Sequence, residues 1–395
     1  MKTNKICLFH DLFWTIVLMI AFSSILTARE DDDQKPVVKT NSFKVQKGGT
    51  LRMSVEAGDV RIIPWDKNEV AVKATSEDED DFEDLNMDMH GNTLRIDNQS
   101  SCSSCEIRYE VNVPDEFDLD IETSEGNINI QSGLNGDIMG RTSAGNIKLG
   151  ALGGTIDMKT SGGNITTDDI RGDLRLGTSG GNIVVGKVDG KCDVSTSGGD
   201  IRIANVGKTL DARTAGGDIR IGDVGGEANV STSGGTIVVG KIGGRATLST
   251  AGGDIEISSA TGIVSAKTAG GNLRLENITG SVTAKTAGGD VEAELIPSGN
   301  GKSKLSTAAG EVKIYLPEDA KATINARIRF NGRWNNEDEY RIKSDFKSEN
   351  YHTDEDEGEI TATYILNGGG ETITLETSNA DIIIRKLIGG RKGGR

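Results

Sequence analysis

Apolar residues recur along the middle of the chain in a fixed alternation. Positions 147, 165, 183, 201, 219, 237, 255, 273 and 291 hold Ile seven times, then Leu and Val. Two residues on, positions 149, 167, 185, 203, 221, 239, 257, 275 and 293 are apolar except for Thr167. A third column runs from Leu152 through Ile170, Val188 and their successors to Ile278 and Ile296. The other half of each repeat adds pairs such as Ile156/Met158, Leu174/Leu176, Cys192/Val194 and Leu210/Ala212, with Lys, Arg, Asp, Glu, Ser and Thr between them. Period-two alternation of β-branched residues, broken by glycine, predicts short strands and does not fit a helix.

Every column advances by 18 residues, in step with the phrase Thr-(Ser/Ala)-Gly-Gly-(Asn/Asp)-Ile. Its threonines stand at 142, 160, 178, 196, 214, 232, 250, 268 and 286; Thr123 is one residue out of step, and Thr307 and Thr377 carry looser copies. A unit this short cannot bury its apolar side alone, so it must stack on its neighbours. The expected fold is all-β, a single-stranded parallel β-solenoid (β-helix) of 18-residue coils with β-rich capping ends. About ten coils at ~4.8 Å per coil give a stack on the order of 50 Å long. Unequal spacing of the inward columns favours a right-handed coil over the even beat of left-handed hexapeptide helices. The glycine column Gly163, Gly181, Gly199, Gly217, Gly235, Gly253, Gly271 and Gly289 marks a corner, expected to need a positive φ. A second corner uses Gly154, Gly172, Gly190, Gly226, Gly244, Gly262 and Gly280.

Composition agrees with a narrow core: 53 glycines and an aromatic content of 4% leave little to fill a wide one. Residues 1–28 read as an export signal, with Lys2 and Lys5 before the apolar run Leu12–Phe22 and small residues from Ser23 to Ala28. Cleavage near Ala28 is expected; an uncleaved anchor is the alternative, although the run is short for a span. No later segment is apolar enough to cross a membrane, so the protein is expected in the periplasm, at the cell surface or outside the cell. The net charge of −16 argues against nucleic acid as a partner. Its excess lies in the runs Glu30–Asp33, Glu77–Asp84 and Asp354–Glu359.

The expected organisation is a signal (1–28), an N-terminal β-rich cap (29–121), the solenoid repeats (122–310), a C-terminal β-rich cap with an aromatic insert (311–385) and a basic Gly-rich tail (386–395). Cys102 and Cys105, between two strand-like runs, predict a disulfide in an exported protein; free thiols are the alternative. Cys192 occupies a core column and reads as a buried small hydrophobe. Trp334, Tyr340, Phe346 and Tyr351 cluster in the insert. They either cover the last coil or, at Trp334, Tyr340 and Tyr351, offer a surface to a sugar or a protein.

Three stretches share a family look: Gly-Asp-Val-Arg-Ile-Ile-Pro-Trp-Asp at 58–66, the repeated Thr-(Ser/Ala)-Gly-Gly-(Asn/Asp)-Ile units, and Leu-Asn-Gly-Gly-Gly-Glu-Thr-Ile-Thr-Leu-Glu-Thr-Ser-Asn-Ala-Asp-Ile at 366–382. Over roughly residues 40–385 the chain resembles the DUF4097 family, labelled as candidate adhesins of bacterial envelope proteins. The resemblance implies a β-helical fold and an envelope location, and it carries no catalytic residues.

The residues themselves offer little catalysis. His90 and His352 lack a nucleophile in a suitable turn. Asp168, Asp169, Arg171, Asp173 and Arg175, with Asp193, Arg202, Asp211, Arg213, Asp218 and Arg220, make a dense charged patch. It reads as solvated decoration, against a glycosidase-like carboxylate pair. The Asx column (Asn146, Asn164, Asn182, Asp200, Asp218, Asp254, Asn272, Asp290) reads as turn chemistry, with calcium as the lesser alternative and no other cofactor expected. The sequence thus predicts a non-enzymatic exported module of the envelope or cell surface, adhesin-like or structural, whose partner is an envelope component, glycan or protein. A self-assembling scaffold or filament is the first alternative, and a carbohydrate-active enzyme the second.

Overall fold

A computed structural model describes residues 36–99, 107–298, 301–330, 340–354 and 356–388. Within the unit that begins at Val37 the described chain is all-β, apart from one 3-10 turn at Asp80–Phe82. No helix among the described residues is long and apolar enough to cross a membrane.

The 18-residue period is a pairing register. Ile183 pairs with Ile201, Ile201 with Ile219 and Ile219 with Ile237, all in parallel. The N–H of Ile201 donates to the carbonyl of Asp218 at 2.9 Å, and that of Ile219 to Thr236 at 2.9 Å. The coil that begins at Thr123 has one residue more, and Thr123 still pairs with Thr142. The first two apolar columns are buried from end to end, Thr167 included. Its hydroxyl is satisfied by the carbonyl of Asp168 at 3.0 Å. The third column departs from expectation at its last member. The register shifts between Leu275 and Ile278, so Ile278 pairs with Leu295, which is fully buried, while Ile296 turns out to solvent.

Two ladders run through the stack. One begins at the strand Val37–Lys44 and passes through Glu69–Ser76, Arg108–Pro114, Asp59–Trp65 and Ile128–Ile130. It continues along the Ile columns to Val312–Leu316, Ile382–Lys386 and Ile342–Ser344. The other begins at Asn86–His90 and passes through Thr93–Asn98, Gly49–Ala57 and Phe117–Glu125. It then follows the second strand of each coil to Lys302–Ser306, Glu371–Ser378, Ala322–Arg329, Glu359–Leu366 and Asn350–Asp354. Pairing is parallel through the coils and antiparallel at the start of both ladders and the far end of the second, so the sheet is mixed and the body is solenoid-like.

The corners are built differently from expectation. From Gly163 to Gly289 no glycine of the first column has a positive φ; among the second-corner glycines only Gly154, Gly262 and Gly280 do. What the first column requires is closeness: a Cβ on Gly217 would stand 2.1 Å from the carbonyl oxygen of Gly199 in the coil below. The threonine of the phrase holds that approach in place. Thr214 is buried, donates its hydroxyl to Gly199 O at 2.9 Å, and accepts from Gly217 N–H at 3.4 Å. The same pair of bonds recurs from Thr142 to Thr307. Removing such a hydroxyl leaves a buried donor and acceptor unpaired, at ~1–3 kcal/mol each.

Candidate functional site

An open groove of about 550 Å³ lies on the second ladder, crossing the strands Gly49–Ala57, Phe117–Glu125, Ile138–Thr142, Ile156–Thr160 and Leu174–Gly177. It exists because of side-chain size. Along one outward column the residues are Glu122, Arg141, Lys159, Gly177, Ser195 and Arg213, stacked in register. Gly177 and Ser195 make a dip between the long side chains of Lys159 and Arg213. One corner supplies a row of exposed hydroxyls, Ser124, Ser143, Ser161 and Ser179. Backbone bonds hold that row in line, Ser161 N–H to Ser143 O at 3.2 Å and Ser179 N–H to Ser161 O at 3.1 Å. Glu56 and Gln99 close one end, and Arg141 and Lys159 are the cations of the lining.

Of the charged patch, Asp173, Arg175, Asp193 and Asp211 line a second hollow of about 530 Å³ together with Asp157 and Glu227, whereas Arg202 and Arg220 stand on Ile201–Val206 and Ile219–Val224 of the first ladder, with Asp218 just before the latter. Most of the patch's charges are engaged with one another or with backbone. Arg175 pairs with Asp193 at 3.2 Å, Arg213 with Asp211 at 2.5 Å, Arg202 with Asp200 at 2.9 Å and Arg220 with Asp218 at 3.0 Å. Asp169 and Asp173 accept the N–H groups of Lys187 and Lys191 at 2.8 Å each, and Arg171 donates to Asn135 Oδ1 at 2.9 Å. The ion pairs are open to water, where each contributes little. Asp218 is held below the usual carboxylate range, first by the N–H of Thr236 and then by Arg220. A glycosidic general acid needs the opposite shift.

The Asx column is a ladder of side chain to backbone bonds. Asn146 Oδ1 accepts from Asn164 N–H at 2.8 Å, Asn164 from Asn182, Asn182 from Asp200 and Asp200 from Asp218 at 3.0 Å. Asp254, Asn272 and Asp290 repeat it towards the far end. One oxygen of each is therefore engaged in joining coils. Among the described residues no group of three or more His, Cys, Asp or Glu is placed to hold a metal.

Cys102, Cys105 and Trp334 lie outside the described residues. Tyr340 and Phe346 are half-buried and pack against the core, whereas Tyr351 is exposed on the strand Asn350–Asp354. His90 and His352 are exposed on strands at opposite ends of the second ladder. Cys192 is buried, and burial pushes its thiol up to about 12. None of the described ones among these residues lines the groove, and the sequence had singled out only its threonines, as marks of the repeat.

A family model described as Toastrack DUF4097 matches residues 49–230 and again 208–385. No curated protein matches the chain. Among solved structures, a candidate adhesin from Parabacteroides merdae is 15% identical and covers 71% of this chain and 93% of its own, with a TM-score of 0.26. A candidate cell adhesion protein from Clostridium sporogenes is 8% identical, covering 89% and 100% at a TM-score of 0.19. A candidate lipid binding protein from Parabacteroides distasonis is 12% identical, covering 89% and 97% at a TM-score of 0.21.

Proposed function

The chain belongs to the Toastrack DUF4097 family, and on that premise we propose that it is an exported, non-enzymatic, adhesin-like protein of the cell envelope that binds a polymer in its hydroxyl-lined groove. The groove carries this reading. Its serines repeat once per coil, at the ~4.8 Å strand spacing, close to the length of one pyranose ring. An extended polysaccharide lying across the strands meets one hydroxyl per coil, with Arg141 and Lys159 placed for its anionic groups. The same reading takes the coils as one right-handed single-stranded β-helix; a left-handed winding in an experimentally phased map would remove that part.

The test is binding of the chain from Arg29 onward to a panel of glycans and envelope polymers, with and without calcium. Saturable binding independent of calcium is expected. Arg141→Ala with Lys159→Ala should weaken it roughly tenfold or more, as for loss of charge-assisted bonds of ~1.5–3 kcal/mol. Asp169→Asn should leave it unchanged. A folded protein that binds nothing moves the function to scaffolding, and turnover of a polysaccharide lost in Asp169→Asn makes it an enzyme.

Export also bears on Cys102 and Cys105, which we take to form a disulfide. Thiol labelling of the folded protein should reach them only after reduction. Cys192 should stay unlabelled in both states, because burial holds its thiol protonated. Labelling of Cys102 and Cys105 without reductant removes the disulfide.

A further inference from the structure

The second ladder ends at two strands of equal length. Asn86–His90 pairs with Thr93–Asn98, and Asn350–Asp354 pairs with Glu359–Leu366; among the described residues neither has a neighbour on its other side. Each therefore presents a row of backbone donors and acceptors to any incoming strand. Because the two are opposite ends of one ladder, a second copy of this chain is the partner whose edge continues it. Such a head-to-tail contact does not close on itself and would propagate.

Acid stands beside both edges. Glu77–Asp84 leads into Asn86–His90 with seven carboxylates in eight residues. The run is anchored. Phe82 is buried in its middle, Asp81 accepts the hydroxyl of Ser76, and Asn98 Nδ2 donates to Asp81 O at 3.0 Å. Glu77, Asp78, Asp80, Glu83 and Asp84 are thereby held at the surface, with Glu79 paired to Lys39 at 3.0 Å. At the other edge Glu349, Asp354, Asp356 and Glu357 flank the exposed Tyr351, His352 and Thr353. The Asp354 carboxylate caps its own turn, accepting from Asp356 N–H at 3.1 Å and Glu357 N–H at 3.0 Å. Stacking two copies brings these like-charged sets together.

We propose that the two acidic runs are electrostatic blocks that keep copies of this chain from stacking end to end through Asn86–His90 and Asn350–Asp354, and that stacking begins when the runs are neutralised or screened. Repulsion between exposed charges reaches about 10 Å at ~0.1 M salt and contracts as salt rises, while the hydrogen-bonding edges persist. Solubility of the stack is thus set by its ends and not by the charge of its faces.

The test is sedimentation velocity on the chain from Arg29 onward, which retains the whole described core from Val45 to Ile384. At low ionic strength the parent should stay monomeric at every concentration. A variant carrying Asp80→Asn, Glu83→Gln, Asp84→Asn, Asp354→Asn, Asp356→Asn and Glu357→Gln keeps the oxygens that cap the turns. Its mass should rise with concentration beyond that of two chains. A control neutralising six face carboxylates (Asp157, Asp189, Asp193, Glu227, Glu256 and Glu292) should remain monomeric. Association of the parent at low salt, a monomeric end variant, or a control that associates as the end variant does would each overturn the proposal. If the end variant fails to fold by circular dichroism, the parent decides: its mass should grow as salt is raised, and a constant mass is fatal to the idea.

Discussion

Gly217→Ala should lower the unfolding free energy by several kcal/mol, whereas Gly216→Ala, one residue earlier, should change it by no more than about 1 kcal/mol. The two glycines look alike in sequence and differ in what lies below them. A methyl on Gly217 would stand 2.1 Å from Gly199 O, 2.5 Å from its carbonyl carbon and 2.8 Å from Asp200 N. All three atoms are backbone, pinned by the Thr214 hydroxyl and by the Asp200 carboxylate that accepts Asp218 N–H at 3.0 Å. No rotamer change can relieve the contact, so the coils must separate there and break the bonds that hold the corner. A methyl on Gly216 would meet Gly198 O at 3.2 Å and nothing else nearer than 3.8 Å, a contact that a shift of a few tenths of an ångström relieves. The repeat itself makes the distinction: Ala144 and Ala309 occupy the Gly216 column, while the Gly217 column is glycine from Gly126 to Gly310. In the last copy Ala380 stands there, but Asn379 before it has φ of 54° and the turn is a different one. Urea midpoints at unchanged m-value measure the difference. Equal midpoints for the two variants would mean that the corners are not held by close approach.

The parts of the fold legible in the sequence are those where each coil repeats the same physical demand. A buried column admits only apolar residues, so nine positions in step identify it, and Cys192 could be placed in the core from its column alone. Glycine is less informative because two unlike demands select it. Positive φ and close backbone approach both exclude a side chain, and the sequence does not separate them; hence the first corner was expected to have a conformation it lacks. The threonine of the phrase was visible as a mark of the period but not as a buried group, since its partners, Gly199 O and Gly217 N–H for Thr214, sit on two different coils. Ile296 was placed one residue wrong because a bulge is a local choice that no repeat column records. The groove was hidden for a further reason. Ser or Ala after each Thr looks like neutral variation, and Gly177 looks like one more glycine. Only the register that sets Gly177 and Ser195 between Lys159 and Arg213 turns small residues into a hollow. At the ends, antiparallel pairing at Val37–Lys44, Asn86–His90 and Asn350–Asp354 breaks the period, and with it the means of predicting register.

Removing Ala215–Thr232, one whole period, should leave a folded protein with a single cooperative transition; removing Ala215–Ser231, one residue fewer, should abolish most of the stability. After the 18-residue excision Thr214 is followed by Ser233, Ile237 falls on Ile201, and Thr236 N–H meets the Asp200 carboxylate in place of Asp218 N–H. Every backbone bond across the new junction is of a kind the coils already make, and stack stability is roughly a sum over neighbours. The 17-residue excision instead leaves a second threonine, Thr232, after Thr214, so the junction coil holds one residue too many. Bulges can absorb an extra residue where the chain has been shaped for it, as at the 19-residue step from Thr123 and between Leu275 and Ile278, where Asn277 has φ of 48°. At Thr232 the surplus falls inside the tight corner, where the Thr hydroxyl, the close glycine and the Asx oxygen must all reach the coil below. A slip of one residue there turns inward positions outward. Several buried groups lose their partners at ~1–3 kcal/mol each, a sum comparable to the whole 5–15 kcal/mol of a folded domain, roughly stated. Urea unfolding followed by far-ultraviolet circular dichroism separates the two deletions. Equal stability for both would show that the coils tolerate slippage, and the 18-residue register would then be a habit of the sequence with no energetic force behind it.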